Sequence, residues 1–210
     1  MYIKKNIVDR SFIKKINAYL DNVKYESSLW IFPGEHPTLY KLIKNNLSIT
    51  PFFKSILKSK DCYIVIRMVN KNDSKRSLEA HFDNYTRTFF IPLKIPKDTT
   101  NSKKEDLQGN LYLWEKARSM PQNLIVHIIT KLTLQNKYVS KIIMYVFTQK
   151  FKKINMEIGD LLYFNGFTTF HYNALVSAEH RSLVIHTDMP FSQNTIMRWI
   201  DLYSRYRVKK

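Results

Sequence analysis

The spacing of apolar residues separates a helical N-terminal part from a β-rich remainder. Residues 11–25 and 37–47 carry their apolar side chains on one face at helical spacing, which predicts two amphipathic helices. A third helix is predicted from Pro51 to Lys60, since proline is favoured in the first turn of a helix.

From residue 61 onward, short apolar runs alternate with turn-forming residues, a pattern typical of strands. The runs are CYIVIRMVN, SLEAHFD, TRTFFIPL, GNLYLWE, INMEIGDLLYF, TTFHYNALV and RSLVIHTDM. Residues 123–151 interrupt them. Their apolar positions fit helical spacing and predict two inserted helices, although their β-branched residues would also suit a strand.

These elements predict a mainly β fold with flanking helices in a single domain spanning residues 1–210. Residues 1–60 would form a helical support, residues 61–190 a β core with the helical insert 123–151, and residues 191–210 a C-terminal helix. At 210 residues and 44% hydrophobic content the chain can bury a sizeable core.

The N-terminal stretch MYIKKNIVDRSFIKKI has an amphipathic pattern without the apolar centre of a signal peptide. No apolar run approaches the roughly 20 residues that cross a bilayer. We therefore expect a cytoplasmic protein without a transmembrane segment. The single cysteine, Cys62, excludes an internal disulfide and is expected to be a small core residue.

The net charge of +17 is compatible with an anionic substrate, cofactor, membrane surface or nucleic acid. Its composition does not favour a specific nucleic-acid site. Lysines outnumber arginines 25 to 9 and are spread along the chain, whereas arginine is preferred where phosphates are held bidentately. A generally basic surface is the simpler interpretation.

The stretch LEAHFDNYTRTFFIPL contains the first candidate site. Side chains two residues apart on a strand point to the same face, so His81 and Asp83 would point together. His171 in FHYN is the best candidate for a third ligand. Two histidines and one carboxylate with open positions are typical of non-haem Fe(II) oxygenases.

A second His-x-Asp occurs at His186 and Asp188, so the motif alone proves little. No histidine follows His186, and its strand ends at once at Pro190. We therefore expect His186 to be structural rather than ligating.

Arg181 lies ten residues after His171 and opens the strand RSLVIH. A guanidinium can hold a carboxylate in a dry pocket through two charge-assisted hydrogen bonds. The alternative is a surface ion pair with Glu179 at a strand end. His180 should point away from Arg181 and into solvent.

The ordered motifs HFD, TFFIPL, QGNLYLWE, MEIGDLLYFNGFTTFH and HRSLVIH resemble the Fe(II)/2-oxoglutarate-dependent oxygenases. The core of that superfamily is a double-stranded β-helix, a jelly-roll or cupin-like fold. It carries His-x-Asp, a distal histidine and an arginine about ten residues beyond it. The resemblance covers roughly residues 61–190.

The resemblance implies His81, Asp83 and His171 as catalytic iron ligands, with Fe(II), 2-oxoglutarate and O2 as cofactor and cosubstrates. It implies that Arg181 binds the distal carboxylate of 2-oxoglutarate. Many members have Ser or Thr two residues after this arginine, where this chain has Leu183. The second hydrogen bond to the cosubstrate would then come from one of three other residues: Thr88, Tyr112 or Asn173.

By resemblance, halogenating members lack the carboxylate, so Asp83 favours hydroxylation or a related C–H oxidation. The lysine-rich flanks favour an anionic small molecule or glycan as substrate. One alternative is a basic nucleic-acid-binding module without chemistry. Another is an oxygenase acting on nucleic acid, although such members carry a second arginine where this chain has Thr187.

Two more residues are candidates for substrate binding. Arg67, within CYIVIRMV, is a costly charge for a strand core unless it is paired. It would either reach solvent at a sheet edge or meet an acidic group of the substrate or cosubstrate. Trp114 is expected near the pocket mouth, although packing is an equally ordinary role for it.

Overall fold

Nine strands and five α-helices make up the described part of the protein in a computed structural model. It describes residues 1–23, 28–31, 36–58, 62–70, 80–96, 108–121, 123–134, 136–196 and 198–199. The strands are β1 Tyr2–Lys4, β2 Ser28–Ile31, β3 Tyr63–Val69, β4 Arg87–Lys94, β5 Leu111–Trp114, β6 Lys152–Ile154, β7 Leu161–Phe164, β8 Phe170–Asn173 and β9 His180–Thr187. The helices are α1 Arg10–Asp21, α2 Pro37–Leu47, α3 Pro51–Ile56, α4 Leu124–Leu134 and α5 Lys137–Val146, followed by a 3-10 turn at Thr148–Lys150.

The strands form two antiparallel sheets. The larger sheet has the order β1-β7-β4-β9-β3-β2, and the smaller sheet has the order β6-β5-β8. Buried apolar side chains from both sheets fill the space between them. They are Val65, Phe90, Leu162, Phe164 and Val184 from the larger sheet and Leu111, Leu113 and Ile154 from the smaller one.

The opposite face of the larger sheet packs on the N-terminal helices. Alternate residues of β3 and β9, among them Ile66, Leu183 and Ile185, join the buried apolar faces of α1, α2 and α3 in one core. Because side chains alternate along a strand, each residue of β3 or β9 faces either these helices or the inter-sheet space. This division decides which side chains reach the candidate site.

The helical predictions are largely confirmed. The second helix begins at Pro37 and ends at Leu47 as predicted, while α1 and α3 end several residues earlier than expected. The insert 123–151 forms two helices, so its helical spacing outweighed its β-branched content. Of the predicted C-terminal helix 191–210, residues 200–210 lie outside the described part, and residues 195–196 and 198–199 are helical.

Three strand predictions differ from the structure. The amphipathic N-terminus contains the short strand β1, which pairs with β7, before α1 begins. The strand β2 pairs with β3 within a region expected to be helical. The run INMEIGDLLYF forms two strands, separated by a turn in which Gly159 has a positive φ of 91° that favours glycine.

Two composition-based expectations can also be compared with the structure. No helix among the described residues has the length and apolarity needed to cross a membrane. Cys62 packs against the core beneath the helices, and burial raises the pKa of its thiol to about 11.

Candidate metal centre

His81 and His171 are brought together by the backbone. The His81 N–H donates to the carbonyl of His171 at 2.9 Å, and the His171 N–H donates to the carbonyl of His81 at 3.0 Å. His81 therefore forms an isolated antiparallel bridge with β8 rather than lying in a continuous strand. Residues 77–79 of the predicted strand SLEAHFD lie outside the described part. The two imidazole rings lie 4.4 Å apart between centroids.

Asp83 completes the cluster. Its backbone N–H donates to the Gly166 carbonyl at 2.9 Å. Its Oδ1 atom lies 3.7 Å from His81 Nε2 and 3.6 Å from His171 Nε2. One ligand atom from each residue lies within 4.8 Å of the other two. Two imidazole nitrogens and one carboxylate oxygen converging from one side form the donor set expected for a first-row metal such as Fe(II).

The orientation of His171 suits metal binding. Its Nδ1 lies 3.1 Å from the carbonyl of Thr169, which can only accept a hydrogen bond. Nδ1 therefore carries the proton, and the lone pair of Nε2 faces Asp83 and His81. Metal-ligating histidines are usually held in this way by their second nitrogen. The side chain of His171 is buried, whereas that of His81 is 31% exposed, so the centre opens to solvent beside His81.

Asp83 is held through its other oxygen. The hydroxyl of Thr88 donates to Asp83 Oδ2 at 2.6 Å and lies 3.2 Å from Nδ1 of His186. His186 stacks on the ring of Tyr85, with 4.9 Å between the ring centroids. Oδ1 is thus left free for a metal while Oδ2 is fixed. Thr88 was predicted as a hydrogen-bond partner of the cosubstrate, whereas in the structure its hydroxyl donates a hydrogen bond to Asp83.

Gly166 makes room for this arrangement. A Cβ atom at this position would overlap Asp83 Oδ2 and Thr88 Oγ1 and would lie 2.7 Å from the Cβ of Asp83. The sequence did not indicate that this part of the backbone approaches Asp83. Any side chain here would displace the carboxylate.

The electrostatics keep Asp83 ionised. Burial alone would raise the pKa of its carboxyl, but the neighbouring His171, His186 and His81 and the hydrogen bond from Thr88 hold that pKa well below its usual range. The carboxylate is therefore charged at neutral pH and available to a cation.

The second His-x-Asp pair is not a ligand pair. His186 lies beside Thr88 and faces the inter-sheet space, whereas Arg181, opposite to it in phase, faces the helices. Asp188 instead forms an ion pair with Arg87, with 2.8 Å between Oδ2 and Nε. His186 therefore contributes to the centre by supporting Thr88.

Arg181 does not lie where the resemblance placed it. Its guanidinium donates to Glu179, to Asp21 of α1 at 2.7 Å and to the backbone carbonyl of Asn17. It shares its face of β9 with Leu183, which packs beneath the helices. The alternative of an ion pair with Glu179 is the arrangement observed. His180 points the opposite way as expected, but it is buried, with 5% exposure, rather than solvated.

Tyr112 and Trp114 also face away from the centre. Their neighbours Leu111 and Leu113 fill the inter-sheet space, so strand alternation turns Tyr112 and Trp114 to the outer face of the smaller sheet. Tyr112 stacks on Tyr172 at 5.0 Å, and Trp114 packs against Phe147 at 5.2 Å. Tyr112 therefore does not point toward the centre, where it was a candidate partner of the cosubstrate. Trp114 has the packing role that was the alternative to a place at the pocket mouth.

Asn173 and Arg67 do face the inter-sheet space. Asn173 lies two residues beyond His171 on β8, on the same face. Nη1 of Arg67, on β3, lies 3.5 Å from Oδ1 of Asn173. Of the two alternatives for Arg67, exposure at a sheet edge does not fit, because β3 lies between β9 and β2. Burial lowers the pKa of the guanidinium, and the negative charge of Asp83 partly opposes that shift.

The insert supports the centre from outside. The buried hydroxyl of Ser140 on α5 lies 3.1 Å from the backbone N–H and 3.3 Å from the carbonyl of Ala80, next to His81. Lys131 of α4 contacts the side chain of Asn84, next to Asp83. Sequence reasoning missed both contacts, since nothing in the helical pattern indicates which polar side chain will meet the site.

No protein-family model matches the sequence, and no curated protein matches it. Solved structures do share its fold. The α-ketoglutarate-dependent epimerase SnoN from nogalamycin biosynthesis aligns with a TM-score of 0.52 and 8% identity, covering 89% of this chain and 77% of SnoN. NgTET1 in complex with 5mC DNA aligns at 0.50 and 12% identity, covering 97% and 79%. A prolyl 4-hydroxylase from Phytophthora capsici aligns at 0.50 and 9% identity, covering 99% and 68%.

The protein has the double-stranded β-helix fold of the Fe(II)/2-oxoglutarate-dependent oxygenases, which confirms the predicted fold class and, at the level of the fold, the predicted resemblance. Identities of 8–12% show the fold alone. Within that fold, the feature of this chain that bears on function is the cluster of His81, Asp83 and His171.

Proposed function

We propose that the protein is an Fe(II)- and 2-oxoglutarate-dependent dioxygenase that hydroxylates a C–H bond. The observation that carries the proposal is the convergence of His81, Asp83 and His171 within 4.8 Å. This donor set leaves one side of an octahedral metal open for cosubstrates.

The protein residues hold and orient the reactants. His81 and His171 would supply neutral imidazole nitrogens, and Asp83 would supply one carboxylate oxygen while Thr88 holds the other. When bound, iron, 2-oxoglutarate and O2 supply oxidation of a C–H bond coupled to decarboxylation of the cosubstrate to succinate. Because Asp83 fills the position that halogenating relatives leave open, hydroxylation is the favoured outcome.

The proposed substrate is an anionic small molecule or a glycan. The net charge of +17 would attract anions toward the opening beside His81. The insert contacts residues next to the candidate ligands, through Ser140 at Ala80 and Lys131 at Asn84, so it would contribute to the wall of the substrate site.

An oxygenase acting on nucleic acid is the second candidate, and the shared fold of NgTET1, solved with 5mC DNA, favours considering it. Against it, the position of the expected second arginine is the buried Thr187. A binding module without chemistry would have no use for the three converging ligands.

The test is anaerobic addition of Fe(II) and 2-oxoglutarate to the purified protein. We expect a visible charge-transfer band in the wild type that is absent from His81→Ala, and oxygen-dependent succinate formation in the wild type alone. A wild-type protein without the band at saturating iron would contradict the proposal. Salt-dependent DNA or RNA binding that survives both His81→Ala and Asp83→Ala would favour the binding module instead.

A further inference from the structure

Arg67 is a cation in the inter-sheet space of the described fold. Arg67 lies two residues after Val65 on β3, so the two side chains are on the same face of the sheet. Val65 belongs to the apolar cluster between the sheets. Its partner across β9 is Ser182, which is buried on the same face as Val184. The guanidinium therefore extends between the two sheets, toward β8.

The contacts of Arg67 with the described residues leave most of its hydrogen-bonding capacity unused. A guanidinium has five N–H donors, and among the described residues Arg67 makes one hydrogen bond, the 3.5 Å contact with Asn173 Oδ1. None of the ion pairs between described residues involves it. The charge of Asp83 acts on Arg67 only from beyond ion-pair distance, so the cation remains costly to bury, and a bound anion would reduce that cost.

The position of Arg67 relative to the metal centre suits a short dicarboxylate. Tyr63 lies four residues before Arg67 on β3 and pairs with His186 of β9. His186 also pairs with Thr88 of β4, which lies beside Asp83. Arg67 lies farther into the inter-sheet space but reaches Asn173, two residues from the ligand His171. An anion bound to the metal at one end could therefore meet Arg67 at the other.

We propose that Arg67, with Asn173 and Ser182 beside it, binds the distal carboxylate of 2-oxoglutarate. Arg181, which the resemblance placed in this role, already donates to Glu179, Asp21 and Asn17 on the helix-facing side of β9. The inference rests on the proposed function. It assigns the cation that binds the distal carboxylate to β3 instead of the neighbouring strand β9.

The test compares two ligands and two variants. Dissociation constants for 2-oxoglutarate and for 2-oxobutyrate, which lacks the distal carboxylate, are measured anaerobically on the Fe(II)-loaded protein from the charge-transfer band and by calorimetry. We expect Arg67→Gln to weaken 2-oxoglutarate binding by about 100-fold or more, and 2-oxobutyrate binding by less than about threefold. Arg181→Gln, the matched control, should keep the wild-type preference for 2-oxoglutarate.

Separate measurements keep the outcomes distinct. The Fe(II) affinity of Arg67→Gln without cosubstrate should match the wild type, and thermal melting shows that each variant is folded. If Arg67→Gln binds 2-oxoglutarate as the wild type does, or if Arg181→Gln suffers the loss, the assignment of Arg67 is overturned while the proposed function stands. If the wild type with bound Fe(II) does not bind 2-oxoglutarate, both fail.

A second inference concerns the outer surface of the insert. The helices α4 and α5 leave eight large apolar side chains exposed: Ile125, Val126, Ile129, Leu132, Tyr138, Ile142, Tyr145 and Val146. On each helix these positions recur at helical spacing and form a stripe opposite the buried side. Exposed apolar surface on this scale marks an interaction site.

The charge around these stripes has one sign. No aspartate or glutamate occurs between Glu115 and Glu157, and this interval contains six lysines from Lys131 onward. Exposed lysines near the stripes include Lys141, Lys150 and Lys152. A second copy of the chain would bring another +17 charge to the contact, whereas an anionic lipid surface would complement both the lysines and the apolar stripes.

We propose that the insert binds the surface of an anionic membrane, with the apolar stripes of α4 and α5 at the acyl boundary. The test is co-sedimentation with phosphatidylcholine vesicles with or without about 30% phosphatidylserine. We expect binding to the anionic vesicles that falls at least about tenfold in the double variant Ile129→Ser and Ile142→Ser. Ile49→Ser, at a residue 79% exposed outside the insert, should bind as the wild type does.

Three results would overturn this inference. They are wild-type protein that stays in the supernatant, binding that does not depend on phosphatidylserine, and a dimer in analytical ultracentrifugation that the double variant dissociates. Vesicle binding does not require iron or 2-oxoglutarate, so the outcome is independent of the proposed function.

Discussion

The Thr88 hydroxyl donates a 2.6 Å hydrogen bond to Oδ2 of Asp83, while Oδ1 of the same carboxylate faces His81 and His171. One threonine thus determines which oxygen of the ligand is free. Thr88 in turn lies 3.2 Å from His186 Nδ1, so the carboxylate is held by a short chain of polar contacts from β4 to β9.

Replacing Thr88 tests this support directly. Thr88→Val keeps the side-chain shape but removes the donor, so Asp83 can rotate or bind through both oxygens. We expect the Fe(II) or Co(II) affinity to fall by about 10–100-fold, as is usual when a partner of a metal ligand is lost. Thr88→Ser, which keeps the hydroxyl, should retain most of the affinity. Equal affinity in Thr88→Val and wild type, measured by metal titration, would show that the hydrogen bond has no such role.

Gly166 is expected to be intolerant of any side chain. In Gly166→Ala the new methyl group would overlap Asp83 Oδ2 and Thr88 Oγ1. We expect loss of measurable metal binding, together with a fall of about 1–3 kcal/mol in the free energy of unfolding from overpacking. Chemical denaturation without metal separates the two effects. A variant that unfolds earlier but binds metal normally would contradict the proposed crowding of Asp83.

The insert should matter for the metal centre through Ser140. Its buried hydroxyl contacts both the N–H and the carbonyl of Ala80, which precedes the ligand His81. Ser140→Ala leaves these groups unsatisfied and should lower the free energy of unfolding by about 1–3 kcal/mol and weaken metal binding. Ser55→Ala removes an exposed side-chain hydrogen bond on α3 and serves as the matched control. Equal effects of the two changes would argue against a specific link.

Much of the candidate metal centre could be predicted because its candidate ligands depend on short-range spacing and chain order. His81 and Asp83 lie two residues apart, and the distal ligand His171 follows at the start of a strand-like run. The spacing and the order of these residues stay the same when a predicted strand boundary is wrong by one or two positions. The helix at Pro37–Leu47 was predictable for a similar reason, since local spacing and an N-terminal proline define it.

The role of Arg181 could not be predicted because it depends on the phase of one strand. A one-residue shift turns every side chain of a strand to the other face. Almost every residue of β9 is buried, because both faces of the strand are covered. The sequence RSLVIH therefore lacks the polar and apolar alternation that would show which side chains face the helices and which face the inter-sheet space. The pairing of β9 with β3 resolves the phase and places Ser182, not Arg181, opposite Arg67.

Tyr112 and Trp114 were misassigned for a related reason. The strand β5 is only four residues long, and its outer face is covered by aromatic residues at the end of the insert, such as Phe151. Both faces of LYLW are therefore apolar, and the sequence does not distinguish the inner face from the outer one. The contact that decides it involves residues far along the chain.

Two buried histidines predict how stability depends on pH. Burial lowers the pKa of His180 to about 4, with a smaller contribution from Arg67, and burial likewise lowers the pKa of His127 to about 4, with smaller contributions from Arg118 and Lys131. In the unfolded chain both would titrate near 6.5. Between about pH 6.5 and 4 the unfolded state therefore binds more protons than the folded state, and stability falls as the pH decreases through this window.

Replacing His180 with glutamine should reduce that pH dependence. Each histidine that is neutral only in the folded state adds up to about 1.4 kcal/mol per pH unit to the slope. We expect the unfolding free energy of His180→Gln, from urea titrations without metal at pH 7, 5.5 and 4.5, to change less steeply than that of the wild type by up to this amount. His127→Gln should act in the same direction and by a similar amount, because burial lowers the pKa of His127 to a similar value. If His180→Gln kept the wild-type slope, His180 would have to be protonated in the folded protein, and a cation there would repel Arg67 on the neighbouring strand.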